Sequence, residues 1–515
     1  MSFLLERSLS MTRTTGFNNA KYLQEQSTAI LDRIGKFSGK LYLEFGGKLM
    51  FDYHAARVLP GYDPNIKIEL LKQLRDKIDI ILCTYAEDIA RGRIRGDFGI
   101  TYAVDALKLI DDLRRHGLDI LAVVITRFDN QPQAVSFKNK LENRSIKVYL
   151  HTATRGYPTD VDTIVSEEGY GKNSCIETNK PIVIVTGPGP GSGKLATCLS
   201  QLYHDYRRGI QSAYAKFETF PIWNLPLKHP VNLAYEAATA DLEDVNMIDS
   251  FHLQEYNQTT VNYNRDIEIF PVVRRILKKI MGDVLAYRSP TDMGVNRAGF
   301  AIEDDDVVKE AARQELIRRY FRYSYESIIG VEKKKTVEKI ILLMEELDVR
   351  IEDRKVVQPA RLAAGEARSA GENEPAVRCG AACELRDGTI VTGKNSPLMS
   401  AASSLVLNTI KKLAEIPDRI PLLSSHILEH IRTLKKDILN LKQETLDLEE
   451  SLIALSMSAA TNPTAELALE KLTELADCEV HLTHIPTPGD EVGLRRLRVN
   501  LTADPQFSSR DLFQD

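Results

Sequence analysis

The sequence predicts an α/β protein whose N-terminal part is a mostly parallel sheet, and three observations carry that prediction. Short, continuously apolar runs recur from about residue 41 to 190. Amphipathic stretches separate them. One apolar run feeds a glycine-rich turn, Gly187-Pro-Gly-Pro-Gly-Ser-Gly-Lys194, and a helical stretch leaves it. Strands that are apolar on both faces need cover on both sides, and parallel neighbours need crossovers, which the amphipathic stretches supply.

Taken in order, Lys40-Leu-Tyr-Leu-Glu-Phe45 is the first expected strand and Ile78-Asp-Ile-Ile-Leu-Cys83 the second. Residues 102–116 form an amphipathic helix stopped by Gly117. Strands are expected at 120–126 and 146–150, around a helix at 133–143. Residues 161–165 and 181–186 complete the strand set. Residues 195–208 then form the helix after the glycine turn. The segment 214–260 is crowded with Phe217, Phe220, Pro221, Trp223, Pro226 and Pro230. It reads either as the lining of a site or as an ordered connection packed by its own aromatics. The acids Glu303 to Asp306 precede a helix, as negative charge at a helix start favours.

The second half opens with helices to about 323 and over 331–347. Residues 359–376, rich in Ala, Gly, Glu and Arg without periodicity, read as a linker or mobile loop. A hairpin follows over 382–392, then a helix over 400–414. Ile427, Ile431, Leu434, Ile438, Leu441, Leu448, Leu452 and Leu455 recur in steps of three and four, broken only by Thr445. That heptad pattern predicts one long helix over 425–456, offering a seam to a partner in the same chain or in a second subunit. A further helix over 463–477 precedes two strands, 479–483 and 494–501, joined through Pro486-Thr-Pro-Gly-Asp490. The expected organisation is therefore an α/β phosphate-binding region over 1–302, a helical connector over 303–358, the linker, and a C-terminal α/β domain over 377–515 with a helical insertion at about 417–477.

Composition narrows the function classes. The 515 residues fit about three domains. A net charge of -5 gives no electrostatic case for nucleic acid, although local basic patches are compatible with it, so none is expected as a partner. Six cysteines make no disulfide framework, and Cys379-x-x-x-Cys383 lacks the usual zinc spacing. No apolar run approaches the ~18 residues of a membrane span. The start, Phe3-Leu-Leu5 followed by Glu6 and Arg7, is no signal peptide, which points to the cytoplasm; residues 1–10 read as a tag, extension or early start.

The glycine turn carries the chemistry. A helix N-terminus offers free N–H groups and a positive dipole end, and glycines let the main chain wrap an anion. Gly187, Gly189, Gly191, Ser192, Gly193 and Lys194 are the candidate phosphate-binding residues. The match to the nucleotide P-loop is imperfect, because Gly187 lies one residue too early and Leu195 stands where a magnesium-binding hydroxyl belongs. Pro188 and Pro190 remove two donors. Ser192 and Thr197 are the substitute hydroxyls, for ATP or another nucleotide with magnesium. The competing reading is a structural turn with an exposed lysine. A strand ending at Lys216 is expected beside the strand that feeds the turn. Lys216, Glu218 and Thr219 then lie near its mouth, an arrangement similar to dethiobiotin-synthetase-type enzymes. Gly46-Gly47-Lys48 leads to Asp52, His54 and Arg57, a candidate active-site loop in which Arg57 clamps an anion and His54 moves a proton. His54, Arg57 and Lys216 are the candidate catalytic residues. The loop Arg93-Ile-Arg-Gly-Asp-Phe-Gly99 is a further anion-binding candidate. Neither His-Glu-x-x-His nor Gly-x-Ser-x-Gly occurs.

The runs Leu41-Tyr-Leu-Glu-Phe-Gly-Gly-Lys48, Asp52-Tyr-His-Ala-Ala-Arg-Val-Leu-Pro60, Gly187 to Lys194 and Ala215 to Pro230 resemble the bacterial family called domain of unknown function 1846, or uncharacterised protein family 0371. The resemblance covers about residues 15–502 and brings no established reaction. Glu384 to Asn395 and the following helix are similar to the opening of the cytidine-deaminase-like fold, without its zinc signature. Two functions are expected from these residues. One is an enzyme, a phosphate-dependent transferase or ligase that takes a nucleotide or small phosphorylated metabolite. The other is a non-catalytic, ligand-sensing scaffold, homo-oligomeric through helix 425–456.

Overall fold

A computed structural model describes residues 15–35, 39–95, 99–282, 287–366, 378–441 and 444–508. The chain divides into two compact units, one over residues 14–312 and one from residue 313 onward. No described helix is long and apolar enough to cross a membrane.

The first unit is built on seven parallel strands. They are β1 (Lys40–Phe45), β2 (Ile78–Tyr85), β3 (Ala122–Thr126), β4 (Val148–Leu150), β5 (Ile182–Thr186), β6 (Ser212–Phe217) and, beyond a separate antiparallel pair β7 (Asn246–Ile248) and β8 (Val261–Tyr263), β9 (Gly294–Val295). The sheet order is β9-β6-β1-β5-β2-β3-β4. Alternation along each strand sends side chains to two cores. Leu41, Leu43, Ile182, Ile184 and Ile80 pack on one face. Tyr42, Val183, Val185, Ile81 and Cys83 pack on the other. Both sets are essentially fully buried, which is why these strands read as unbroken apolar runs.

Helices cover each face. Helices α1 (Asn19–Gly35), α2 (Tyr53–Val58) and α3 (Ile66–Gln73) lie on the first face, together with the C-terminal turn of α4 (Tyr102–Arg115). Helix α5 (Pro132–Glu142) packs with α4 on Leu82, Val123 and Ile125. The opposite face carries α6 (Val161–Ile164), α7 (Lys194–Arg207) and, past α8 (Pro230–Ala238), α9 (Asn264–Met281). The expected strand at 161–165 is thus a helical turn. Asp160 caps it, accepting from the Thr163 amide at 3.1 Å, and this local bond overrides the β-branched run.

This topology fixes where a ligand can sit. From β2 the chain crosses by α4 to β3 on one side, and from β5 it crosses by α7 to β6 on the other. The crevice outside the carboxyl ends of β2 and β5 is therefore a topological switch point, the usual binding place in open α/β sheets. The glycine turn leaves β5 into that crevice.

The second unit holds the mixed sheet β11-β10-β12-β13, from β10 (Gly380–Glu384), β11 (Ile390–Lys394), β12 (Glu479–Leu482) and β13 (Asn500–Ala503). The first two form the expected hairpin, but β12 and β13 are parallel, not a hairpin through 486–490. Thr487 caps a helix, Pro488–Arg496, with the proline in its first turn, so the residues that read as a hairpin loop begin the crossover that parallel strands require. Part of the expected linker is also ordered. Val357–Glu366 is helical and packs so closely on β10 that a Cβ at Gly380 would stand 2.2 Å from the Ala360 carbonyl. The remainder, from 367, lies outside the described residues.

The single helix expected over 425–456 does not form. Helix Ser425–Thr433 passes through a π turn at Leu434–Ile438, and a second helix starts only at Leu448. Leu446 forms a backbone bridge with Met399 and is fully buried, so the chain dives into the core between the two helices. Asp447 and Glu450 close a capping box at the restart. Ile427, Ile431, Leu448, Leu452 and Leu455 pack into this unit's own core, whereas Leu434 and Ile438 face solvent.

Candidate functional site

The turn is held from three sides. Thr126, at the end of β3, donates from Oγ1 to the Ser192 carbonyl at 2.9 Å. Arg127 donates to the Gly191 carbonyl and lies over the Tyr85 ring, 3.4 Å from its centroid. Tyr102 opens α4 beneath Gly189. The glycines answer to these contacts. A Cβ at 189 would stand 2.6 Å from the Tyr102 ring, and one at 193 would stand 2.7 Å from the Thr126 side chain. Gly191 and Gly193 have φ of 74° and 89°, a left-handed backbone that glycine adopts at no steric cost.

These constraints leave a cradle. Among the described residues, the amides of Gly191, Ser192 and Gly193 have no main-chain acceptor, and α7 begins at Lys194. Lys194 is half-buried and folds back over the turn, donating to the Gly189 carbonyl at 3.2 Å and to Ser192 Oγ at 3.4 Å. Burial pulls its pKa below the usual lysine range, and the Glu44 carboxylate works against that pull. Of the two substitute hydroxyls, only Ser192 stays at the turn. Thr197 is buried one turn down α7 and accepts from the Cys83 thiol at 3.4 Å.

Lys216 lies one residue before the end of β6, in register with Glu44 on β1, and β1 separates β6 from β5, so the strand carrying Lys216 does not run directly beside the one that feeds the turn. Its ammonium sits 2.5 Å from Asp266 and 2.8 Å from Glu218, and it also donates to the Tyr263 hydroxyl. Tyr263 in turn donates to Glu218 at 3.1 Å. Burial opposes the Lys216 charge, but Asp266, Glu218 and Glu44 outweigh it and hold its pKa well above the usual range. Glu218 goes the other way. Burial raises it, Lys216 resists, and Asp266 adds to the rise, leaving it at about 7. Glu44 is buried, accepts from the Tyr214 hydroxyl at 2.7 Å, and acts on both Lys194 and Lys216. Lys194, Glu44, Lys216, Glu218, Tyr263 and Asp266 thus form one charged set at the carboxyl edge of the sheet.

The sequence pointed to Lys194, Lys216 and Glu218 but not to Glu44. Its signal was an acid in the buried register of an apolar strand, Leu-Tyr-Leu-Glu-Phe, where a charge is costly unless it serves a partner. His54 and Arg57 belong to α2, on the opposite face of the sheet. His54 is buried edge-on against Phe220 at 5.4 Å and near Tyr235 at 6.4 Å. Asp52, which caps α2, forms a buried ion pair with Lys67 at 2.9 Å. Much of the aromatic segment beginning at 214 is an ordered connection. Fully buried Asn232 bridges it, accepting from the Ile222 amide at 2.7 Å and donating to the Ile222 and Pro226 carbonyls. In the loop 93–99, residues 96–98 lie outside the described residues.

One constellation imitates a hydrolase. Ser289, His252 and Asp292 lie together, with His252 Nδ1 2.9 Å from Ser289 Oγ and 3.9 Å from the Asp292 carboxylate. A relay needs serine and acid on opposite ring nitrogens. Here both meet the same one, and Ser289 is fully buried while capping a helical turn. The set is structural.

The family model described as domain of unknown function DUF1846, N-terminal, matches residues 15–348, and its C-terminal counterpart matches residues 352–513. A protein named UPF0371 protein from Clostridium botulinum (strain Alaska E43 / Type E3) is 58% identical over 501 residues, covering 97% of this chain and 99% of that protein. Another of the same name, from the Langeland strain, is 57% identical over 498 residues with the same coverage.

Proposed function

The chain belongs to the DUF1846 family, whose description names no reaction, and from the site itself we propose that it binds a nucleotide or a small phosphorylated metabolite at the glycine turn and transfers or ligates the phosphorylated group. The observation that carries this reading is the conjunction at one switch point. Unclaimed amides at 191–193, the N-terminus of α7 and Lys194 converge outside the end of β5. A phosphate there meets main-chain donors once Lys194 turns from its own loop to the ligand. Ser192 Oγ, which now accepts from Lys194, would be the hydroxyl to hold a magnesium ion, and Glu44 is the carboxylate that acts on Lys194. The C-terminal unit's hairpin followed by helix Ala401–Leu413 supports a likeness to the cytidine-deaminase-like fold, but its zinc signature is missing from the sequence. No deamination is proposed.

The test is calorimetric titration of ATP, GTP and pyrophosphate, with and without magnesium, into the parent and Lys194→Ala. A charge-assisted bond to phosphate contributes about 1.5–3 kcal/mol, so affinity should fall roughly 10- to 150-fold in the variant. Equal affinity in the two proteins removes the turn as the site.

A further inference from the structure

The carboxylate cluster beside the cradle is more than Lys216 needs. One buried ammonium is met by two carboxylates and a phenol, and one of those carboxylates, Glu218, is 4% exposed. The groups that face Glu218 are Lys216 on β6, Asp266 on α9, Tyr263 on β8 and Tyr235 on α8, with Glu44 on β1 acting through Lys216. Gly46, at the end of β1, closes the remaining side, because a Cβ there would lie 3.3 Å from Glu218 Cγ. Asp266 is the most open member, its side chain 17% exposed against 12% for Lys216 and 5% for Glu218. The cluster therefore runs from a partly exposed carboxylate to an enclosed one, with the lysine between them.

We propose that Glu218 is the proton acceptor for a second substrate, one that brings a hydroxyl group to Asp266 and Lys216 beside the phosphate held at the turn. This rests on the anion site proposed above. The donor is a phosphoanhydride. The hydroxyl oxygen forms a bond to the terminal phosphorus as the bridging P–O bond breaks, and that bond's electron pair leaves with the departing phosphate beside Lys194. The hydroxyl proton passes to Lys216 as Lys216 gives one of its own protons to Glu218, 2.8 Å away, which becomes a neutral acid. Enclosure suits that outcome, since a carboxyl group shut away from water and beside Asp266 holds a proton near neutrality.

Anion binding and protonation are then linked. Negative charge placed at Lys194 reaches the cluster through Lys216 and raises the proton affinity of Glu218. If that rise is about one pKa unit at pH 7, ATP binding takes up roughly 0.4 proton. The experiment titrates ATP into the parent, Glu218→Gln and Tyr263→Phe in buffers of different ionisation enthalpy, which counts the protons. The parent should take up protons, and Glu218→Gln should take up none while its affinity stays within about threefold. Tyr263→Phe removes the bond that favours the Glu218 anion, so its uptake should peak at higher pH than in the parent. ATP binding to the parent without proton uptake overturns the role of Glu218 and leaves the anion site standing. So does an uptake unchanged in Glu218→Gln, or a peak unmoved in Tyr263→Phe. A parent that binds none of ATP, GTP and pyrophosphate overturns both proposals.

Discussion

Replacing Arg354 with leucine should destabilise the C-terminal unit by about 3–5 kcal/mol, because it leaves buried acceptors and a carboxylate without their partner. Arg354 is 1% exposed, and its guanidinium makes four contacts. It lies 2.5 Å from Glu479, donates to Thr502 Oγ1 at 2.9 Å, and reaches the carbonyls of Val480 at 3.2 Å and Asn500 at 2.7 Å. Those residues belong to β12 and β13, the parallel pair, so one side chain pins both strands. Lysine cannot replace it, since a point ammonium does not present a planar fork. Arg318 stays on Glu479 at 2.9 Å, which sets the upper limit of the loss. Calorimetric unfolding of the whole chain reads the change. A variant within about 1 kcal/mol of the parent would falsify the pinning role.

The same network sets the acid limit of this unit. Burial alone would raise Glu479, but Arg318 and Arg354 overcome it and hold its pKa at about 2. Burial likewise opposes the Asp504 charge, and His481 and Arg361 lower it to about 2. Both folded values lie below the unfolded ones. Their stabilisation is therefore present above the ordinary carboxylate pKa and is lost as pH falls through about 4.5 towards 2. Each contributes on the order of 2–3 kcal/mol. Arg354→Leu should flatten this acid-side slope, because Glu479 then titrates closer to its ordinary value.

What the sequence disclosed follows from the range of each interaction. β1, β2, β3 and β5 were legible because a strand buried on both faces is apolar on most of its length. The turn was legible because its left-handed backbone at Gly191 and Gly193 calls for glycine locally, although Gly189 and Gly193 also answer to the distant Tyr102 and Thr126. The cluster was only half legible: Lys216 on β6 and Glu218 just past its end are neighbours in sequence, but Tyr263 and Asp266 arrive from β8 and α9, and nothing local announces their meeting. The heptad at 425–456 misled because its hydrophobic period was genuine while its continuity was not. A fully buried Leu446, bridged to Met399, claims the chain midway. His54 stood out by its neighbours in sequence, and nothing local announced the ring contacts it makes with Phe220 and Tyr235.

Gly193→Ala should abolish anion binding at the turn while leaving the sheet intact. The residue has φ of 89° and ψ of 16°, where an L side chain costs roughly 1–2 kcal/mol. The added Cβ also meets Thr126 at 2.7 to 2.8 Å, on a side chain that holds the Ser192 carbonyl and the Thr84 carbonyl in the core. Thr126 cannot step aside without releasing the turn, so the turn itself shifts. Its three unclaimed amides then no longer converge, and affinity for pyrophosphate should fall at least as far as in Lys194→Ala. Gly191→Ala offers a control, since a Cβ there meets nothing within 4 Å and only φ of 74° opposes it. The ordering of the two variants separates a cradle from a merely structural turn. If the turn is only structural, Gly193→Ala lowers the unfolding temperature and no phosphate ligand distinguishes it from Gly191→Ala. If it is a cradle, the loss of pyrophosphate binding is much larger for Gly193→Ala and exceeds what its change in stability accounts for.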